Sequence, residues 1–400
     1  MLHISRHARI RDAAAHGAHE LLSGDLERSL PWLEAEEGRI SADHHYIAVG
    51  RPGARAEALA VCYSIPQASA HRAYASAEVL LGRPTDALIH GLPSEVESMR
   101  AQETLARLRR RLPTTATDTL AVVAPGSVHS GVVSNSQFSP ARRRAVLTSL
   151  VDAVEHSAAE LGLPVVEFGH VRDDPSDREL HHVLRSKGYT GVTVGADAVL
   201  DVRFRDLDEY FTSFRSNRRK VLRKERQRFL ATGPTISLRG ADGLTDDLVD
   251  LQLARYLHYG HQADAQSVRD RFVRAAKIPG LKVLRADSDS GPLGFVAFYE
   301  DRARARIVPR LGAFVRNESA CYFNLAYYEL IAHAARLGGM HIHYGDSTYE
   351  AKTARGCALT RLTTYFRSPD TNLQKLLHEA GRLRSELEEK ATQLGARTDT

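Results

Sequence analysis

Apolar positions along this chain switch between two spacings, and the switching sets the fold class. Short apolar or alternating runs at Tyr46–Val49, Ala58–Ser64, Thr119–Ala124 and Pro164–Phe168, and a last one running to about Phe204, read as strands. Between them the period lengthens to that of a helix. The clearest case opens at Ser139, placed to cap, with Pro140 suited to the first turn. Val146, Leu147, Leu150, Val151, Val154 and Leu161 then fall on one face until Gly162 and Pro164 stop it. A stretch from His19 to Glu37 is mostly helical and divided by Pro31. An Arg-rich helix is expected over Glu95–Leu112 and a short one over Asp177–Lys187.

The second half repeats this grammar. A basic helix over about Leu207–Leu230 ends at Gly233-Pro234, followed by a strand at Thr235–Leu238 and helices across 244–276. A hairpin follows, Leu293–Glu300 and Ala303–Leu311, then a helix from about Ala320 to Leu337. The strand Met340–Tyr344 alternates apolar residues with His341 and His343, and a last strand lies near Leu359–Phe366. The pattern predicts an α/β (α+β) protein of two tandem domains, mixed central sheets flanked by helices, over 1–204 and 205–370. Residues 371–400 form a C-terminal helix. Leu373, Leu376, Leu377, Ala380, Leu383, Leu387 and Leu394 give it a seam for packing on its own domain or for a homodimer.

Composition narrows the class. At 400 residues the chain suits two domains, and 43% hydrophobic with 26% charged residues is a globular balance. No run approaches the ~18 apolar residues of a membrane span, and Met1–Gly17 lacks an apolar signal core. Cys62, Cys321 and Cys357 are odd in number and without CxxC spacing, so neither a disulfide framework nor a metal site is expected, and a reducing cytoplasm is. The net charge of +5 is unevenly spread. Arg215, Arg218, Arg219, Lys220, Arg223, Lys224, Arg226 and Arg228 stand against the single acid Glu225, a local +7. A stripe that dense suits a phosphate backbone; its competing reading is a solvated amphipathic helix.

Two stretches are more specific. One is Ser213-Phe214-Arg215-Ser216-Asn217-Arg218-Arg219-Lys220-Val221-Leu222-Arg223-Lys224, followed by Gly233. The other joins Tyr322-Phe323-Asn324-Leu325-Ala326-Tyr327-Tyr328-Glu329 to His343-Tyr344-Gly345-Asp346-Ser347-Thr348-Tyr349-Glu350-Ala351-Lys352 and Arg355-Gly356. With the hairpin–helix–strand–helix–strand order, they resemble the Fem-like branch of the GNAT acyltransferase superfamily, which uses tandem GNAT-like domains. The resemblance spans about Asp201 to Phe366 and is architectural before that. It implies transfer of an amino acid from aminoacyl-tRNA, as co-substrate, to an amine, with no resident cofactor. It also makes 1–204 a degenerate domain and 205–370 the catalytic one. A specialised-metabolite amine is the expected acceptor, since the inserted helical arms of Fem peptidyltransferases have no counterpart in the sequence.

An acetyl-CoA enzyme of this superfamily has an Arg/Gln-x-x-Gly-x-Gly/Ala loop whose backbone N–H groups hold the pyrophosphate. The equivalent stretches, Ser134–Pro140 and Arg310–Ala320, lack that glycine spacing. Aminoacyl transfer needs a deprotonated amine, a held carbonyl, oxyanion stabilisation and a proton for the leaving ribose oxygen. His341–Arg355 concentrates groups of that kind. By resemblance Lys352 stabilises the transferring carbonyl. Asp346 accepts the amine proton or caps a helix, Tyr349 donates to the leaving oxygen or packs, and His343 is a base or a solvated strand residue. Arg355 and Tyr328 are expected to touch substrate. Two other readings stay open: an acyl-CoA-dependent N-acyltransferase, and a non-catalytic RNA-binding protein on the same scaffold.

Overall fold

The computed structural model describes residues 2–40, 42–66, 99–100, 102–104, 106–107, 110, 118–260, 262–315, 319–346 and 348–397. The helix expected over 95–112 lies mostly outside them. The described chain forms two compact units: unit 1 is Met1–Ala198 with Gly345–Thr400, and unit 2 is Val199–Tyr344. The sequence reading divides the chain at 204 and 370; here residues 345–400 group with the first 198.

In unit 1, strands β1 (His3–His7), β2 (Asp43–Gly50), β3 (Ala56–Ile65), β4 (Thr119–Val122), β5 (Val132–Ser134), β6 (Val165–Arg172), the Thr190–Ala198 part of β7 (Thr190–Val202) and β13 (Ala358–Arg367) make a mixed sheet. Its order is β1-β2-β3-β4-β6-β13-β7, with β5 paired to β3. The pair β4/β6 is parallel and the other pairs with stated registers are antiparallel. Helices α1 (Ile10–Ala13), α2 (Leu30–Glu36), α3 (Pro140–Glu160), α4 (Arg178–Ser186), α11 (Tyr349–Thr353) and α12 (Thr371–Arg397) flank it.

Local chemistry explains the best-read element. Ser139 Oγ accepts from the Arg142 N–H, Pro140 occupies the first turn, and Val146, Leu147, Leu150, Val151 and Val154 are buried against β2, β3 and β6 residues. Leu161 departs from the expected face: it is the C-cap and is exposed. On the C-terminal seam, Leu373, Leu377 and Ala380 of α12 pack on Val192, Val194, Leu362 and Phe366.

Unit 2 carries the rest of β7, then β8 (Thr235–Arg239), β9 (Leu281–Ser288), β10 (Gly291–Asp301), β11 (Arg306–Phe314) and β12 (Met340–His343), in the order β7-β12-β11-β10-β9-β8. Here β11/β12 is the parallel pair. Its helices are α5 (Leu207–Thr212), α6 (Ser216–Leu230), α7 (Asp247–His258), α8 (Ala265–Ala276), α9 (Ser319–Phe323) and α10 (Leu330–Leu337), with a π-helical turn over Asn324–Glu329 joining the last two. The basic helix expected as one piece is two, because Arg215 is extended (φ −57°, ψ 153°) and starts α6 afresh. Arg310–Phe314, read as a loop equivalent, is still strand.

Candidate functional site

The feature best suited to hold a substrate is the parallel pair of unit 2. Strands β11 and β12 share two residue pairs, Arg306↔His341 and Ile307↔Ile342. β12 then stops at His343, while β11 runs on to Phe314 with β10 beside it. The phase of the ladder shows what the opened edge presents. Val315 N–H donates to Leu293 O at 2.9 Å, and bonded pairs alternate along an antiparallel ladder. Gly312, opposite Val296, therefore turns its N–H and C=O away from β10 and into the gap. Pro309, two residues past Ile307, lies on the same edge, where its missing N–H costs no ladder bond. At the mouth, Tyr344 stacks on Tyr327 with ring centroids 4.6 Å apart.

The parallel pair of unit 1 is closed instead. β4 and β6 pair from Thr119↔Val165 to Val122↔Phe168. The chain then makes a buried loop, in which His129 Nε2 lies 3.3 Å from Glu27 Oε2, and returns as β5 on β3. The half-buried Arg28 guanidinium donates to Val132 O (2.9 Å) and Asp25 (3.2 Å) and lies 3.8 Å from Asp177. Arg143 ties Ser134 Oγ (3.0 Å) to the Ser176 carbonyl (2.5 Å). Side chains of the unit itself bridge the opening.

The sequence-chosen segment after β12 divides between the units. His343 ends β12 in unit 2 and is buried, not solvated; His341 faces Asp201 at 3.6 Å. From Gly345 onward the residues belong to unit 1, where Lys352, Tyr349 and Arg355 come together as a buried anchor. Lys352 Nζ donates to the carbonyls of Gly345 (3.0 Å) and Asp346 (2.7 Å), closing the turn that leads into α11. Tyr349 Oη accepts the Ala196 N–H at 2.8 Å. Gly195 is required there, since a Cβ on it would lie 2.7 Å from that oxygen. Arg355 donates to Ala351 O at 2.9 Å. Asp346 keeps its side chain exposed, and the cap position of α11 is held by Thr348 instead. Burial pushes the nearby Cys357 thiol up to about 12, so it stays protonated.

On α6, Arg215, Lys220, Arg223, Lys224 and Arg228 are exposed, and Arg218 and Arg219 are half-buried. Arg226 departs from the expected stripe: it points inward, 2.5 Å from Glu329 and 3.0 Å from Asn324 Oδ1. Val221, on the same helix, is 46% exposed. Tyr328, expected to touch substrate, is fully buried and donates to Glu225.

No family model matches the sequence, and no curated protein matches it. Among solved structures, FemX superposes on 94% of this chain and 100% of its own, at 11% identity and a TM-score of 0.57. The fold is Fem-like. Two weaker likenesses are a tandem GNAT protein from the clavulanic acid biosynthesis pathway (12% identity, 92% and 98% covered, TM-score 0.45) and the C-terminal domain of a putative lysylphosphatidylglycerol synthetase from Agrobacterium fabrum (12%, 67% and 83%, 0.46).

Within this Fem-like fold, sequence reasoning missed Asp197 and Arg172. Asp197 is fully buried on β7, accepts the Gly345 N–H at 3.0 Å and pairs with Arg172 at 2.5 Å. Arg172 also binds Asp174 at 2.7 Å. Asp197 therefore fixes the start of the turn whose carbonyls Lys352 holds. Its signal was available: a lone acid in the apolar run Val192–Leu200.

Proposed function

We propose that the protein is an acyltransferase that carries an aminoacyl group from tRNA to the amine of a small, specialised-metabolite acceptor. The observation that carries this reading is the opened β11/β12 pair, which leaves backbone donors on a rigid strand edge in the same unit as a cationic helix. An aminoacyl ester is already activated, so holding its carbonyl against an incoming amine supplies much of the rate. The Gly312 N–H is turned toward the gap to donate to that carbonyl as it gains negative charge. His343, last residue of the shorter strand, is assigned the amine's proton, as an imidazole with a nitrogen able to accept one. The amine nitrogen bonds to the ester carbon, the ribose oxygen leaves, and the proton lost by the amine balances the one the ribose oxygen gains.

In this reading Lys352, Tyr349, Asp346 and Arg355 serve by position, shaping the chain that follows β12, and the exposed cations of α6 take the tRNA backbone. Reaction occurs in the cytoplasm with no metal or resident cofactor. The test is a transfer assay with charged tRNA pools and amine acceptors, with and without RNase. Product that disappears with RNase is expected; product formed without tRNA refutes the reading, and product formed from acyl-CoA alone replaces it with the acyl-CoA one.

A further inference from the structure

A cavity lies in unit 1 over the exposed face of α4. Arg178, His182 and Arg185 stand at i, i+4 and i+7, so they share that face and span about 10 Å along the helix axis. With Asp173 and Asp174, from the turn after β6, they line a space of about 640 Å³. That volume suits a small organic ligand better than a lone ion.

One wall is fixed from the interior. His181 Nε2 lies 2.9 Å from the Arg172 carbonyl, which can only accept, so that nitrogen carries a proton. In the neutral imidazole Nδ1 then accepts from the Tyr365 hydroxyl at 2.8 Å, and the hydroxyl oxygen accepts from Arg185 Nε at 3.1 Å. The relay grips the Arg185 guanidinium by one edge, and its Nη groups meet no acceptor among the described residues. Arg178 is exposed, with no ion pair or hydrogen bond among those residues. Of the two acids, Asp174 is spent on Arg172 (2.7 Å) and on the Ser176 N–H (2.9 Å). Asp173 is not. Its N–H donates to Arg361 O at 2.9 Å, which extends the β6/β13 ladder, and its carboxylate is exposed without a partner among the described residues. Burial raises the Tyr365 hydroxyl above its ordinary value, Arg185 pulls it down and Asp173 pushes it up. A guanidinium and a carboxylate thus stand near one oxygen, with no salt bridge joining them.

We infer that this cavity binds a small zwitterion, a free α-amino acid, with its carboxylate on the Arg185 and Arg178 guanidinium groups and its ammonium on Asp173. A guanidinium fork matches a carboxylate in two parallel bonds, and the relay behind Arg185 orients its fork before the ligand arrives. Asp173 disfavours ligands that carry negative charge alone, which separates this cavity from a phosphate site. Binding here is independent of the transfer reaction proposed above and is measured without tRNA.

The twenty free amino acids are titrated singly into the full chain, by thermal shift and then by calorimetry. At least one is expected to bind and to raise the melting temperature. Masking either charge of that amino acid, as its amide or as its N-acetyl derivative, should weaken binding about tenfold or more. Arg178→Gln should weaken the amino acid by a similar factor and leave the melting temperature of the unliganded chain unchanged, since Arg178 has no partner to lose among the described residues. Asp173→Asn should remove the preference for the free amine and bring the N-acetyl derivative level with its amino acid. Arg185→Lys keeps the charge but loses the fork, and should bind less tightly than the parent chain. Three results would each overturn the site: no binding by any of the twenty, an N-acetyl derivative that binds the parent chain as tightly as its amino acid, or an Arg178→Gln chain with undiminished affinity.

Discussion

Each unit has a parallel strand pair crossed over by helix, and the two pairs end in opposite ways. In unit 1 the strands part after Val122↔Phe168, and the space is filled by a returning β5, a buried polar loop and the guanidinium groups of Arg28 and Arg143. In unit 2 the pairing described ends at Ile307↔Ile342. The same local topology thus yields a sealed layer in one place and an open edge in the other. The difference lies in side chains: charged residues in unit 1 satisfy one another across the opening, while in unit 2 they stand along its edge.

The largest test of this contrast removes the seal. Arg28→Leu takes the cation away from buried Asp177 and half-buried Asp25, which keep their backbone N–H donors, and a loss of about 3 kcal/mol in chemical denaturation is expected. The unit 2 counterpart, Arg255→Gln, removes a side chain that donates to Gly312 O on the open edge, and should cost less than about 0.5 kcal/mol. Equal losses would erase the distinction between sealing and edge arginines.

A second test uses pH. Glu167, on β6 of the sealed pair, is buried, its Oε2 has no hydrogen-bond partner among the described residues, and burial raises its carboxyl from 4.5 to about 8. The folded state keeps a proton that the unfolded chain releases. Stability is therefore full below about pH 4.5 and falls as pH rises toward 8. Glu167→Gln should flatten that decline and make the variant the more stable protein at pH 8, by a few kcal/mol; a parallel pH profile for the two proteins would refute it.

Smaller effects sharpen the account. Gly195→Ala drives a methyl against Tyr349 Oη and should cost about 1–3 kcal/mol. Adding Tyr349→Phe should return part of that, which thermal melts of the double variant would show. Smallest for the fold is Arg223→Gln with Lys224→Gln, expected to leave stability within about 0.5 kcal/mol. The slope of log affinity for tRNA against log salt should fall by roughly 1.5–2. An unchanged slope would remove α6 from the tRNA surface.

Much of the fold could be read from spacing alone, because a buried helix face or strand leaves its period in the sequence. The face of α3 is the clear example, and its one error, Leu161, falls where the helix has ended and the period no longer applies. Which sheet a strand joins leaves no such trace. Leu362, Tyr365 and Phe366 are equally apolar whether β13 lies in one unit or the other, so the linear division placed 345–370 with its sequence neighbours. Charge was harder still. Leu222, Glu225, Arg226 and Phe229 share the inward stripe of α6, and only the partners, Tyr328 and Glu329, reveal that Glu225 and Arg226 belong to the interior. Lys352 was singled out for its chemistry, yet its visible partners are backbone carbonyls, which no side-chain pattern announces.

The re-entry of the chain into unit 1 has a consequence for synthesis. A ribosome releases β6 long before β13, its antiparallel neighbour, and the 146 residues of Val199–Tyr344 emerge in between. Val199–Tyr344 can condense as soon as it is out, because all its strands are contiguous in the chain. The first-made half must wait, with the β6 edge that Tyr365 and Phe366 later cover still open. Shortening the chain by its last fifty residues should therefore spare the later-made unit and leave the earlier-made one dependent on chaperones.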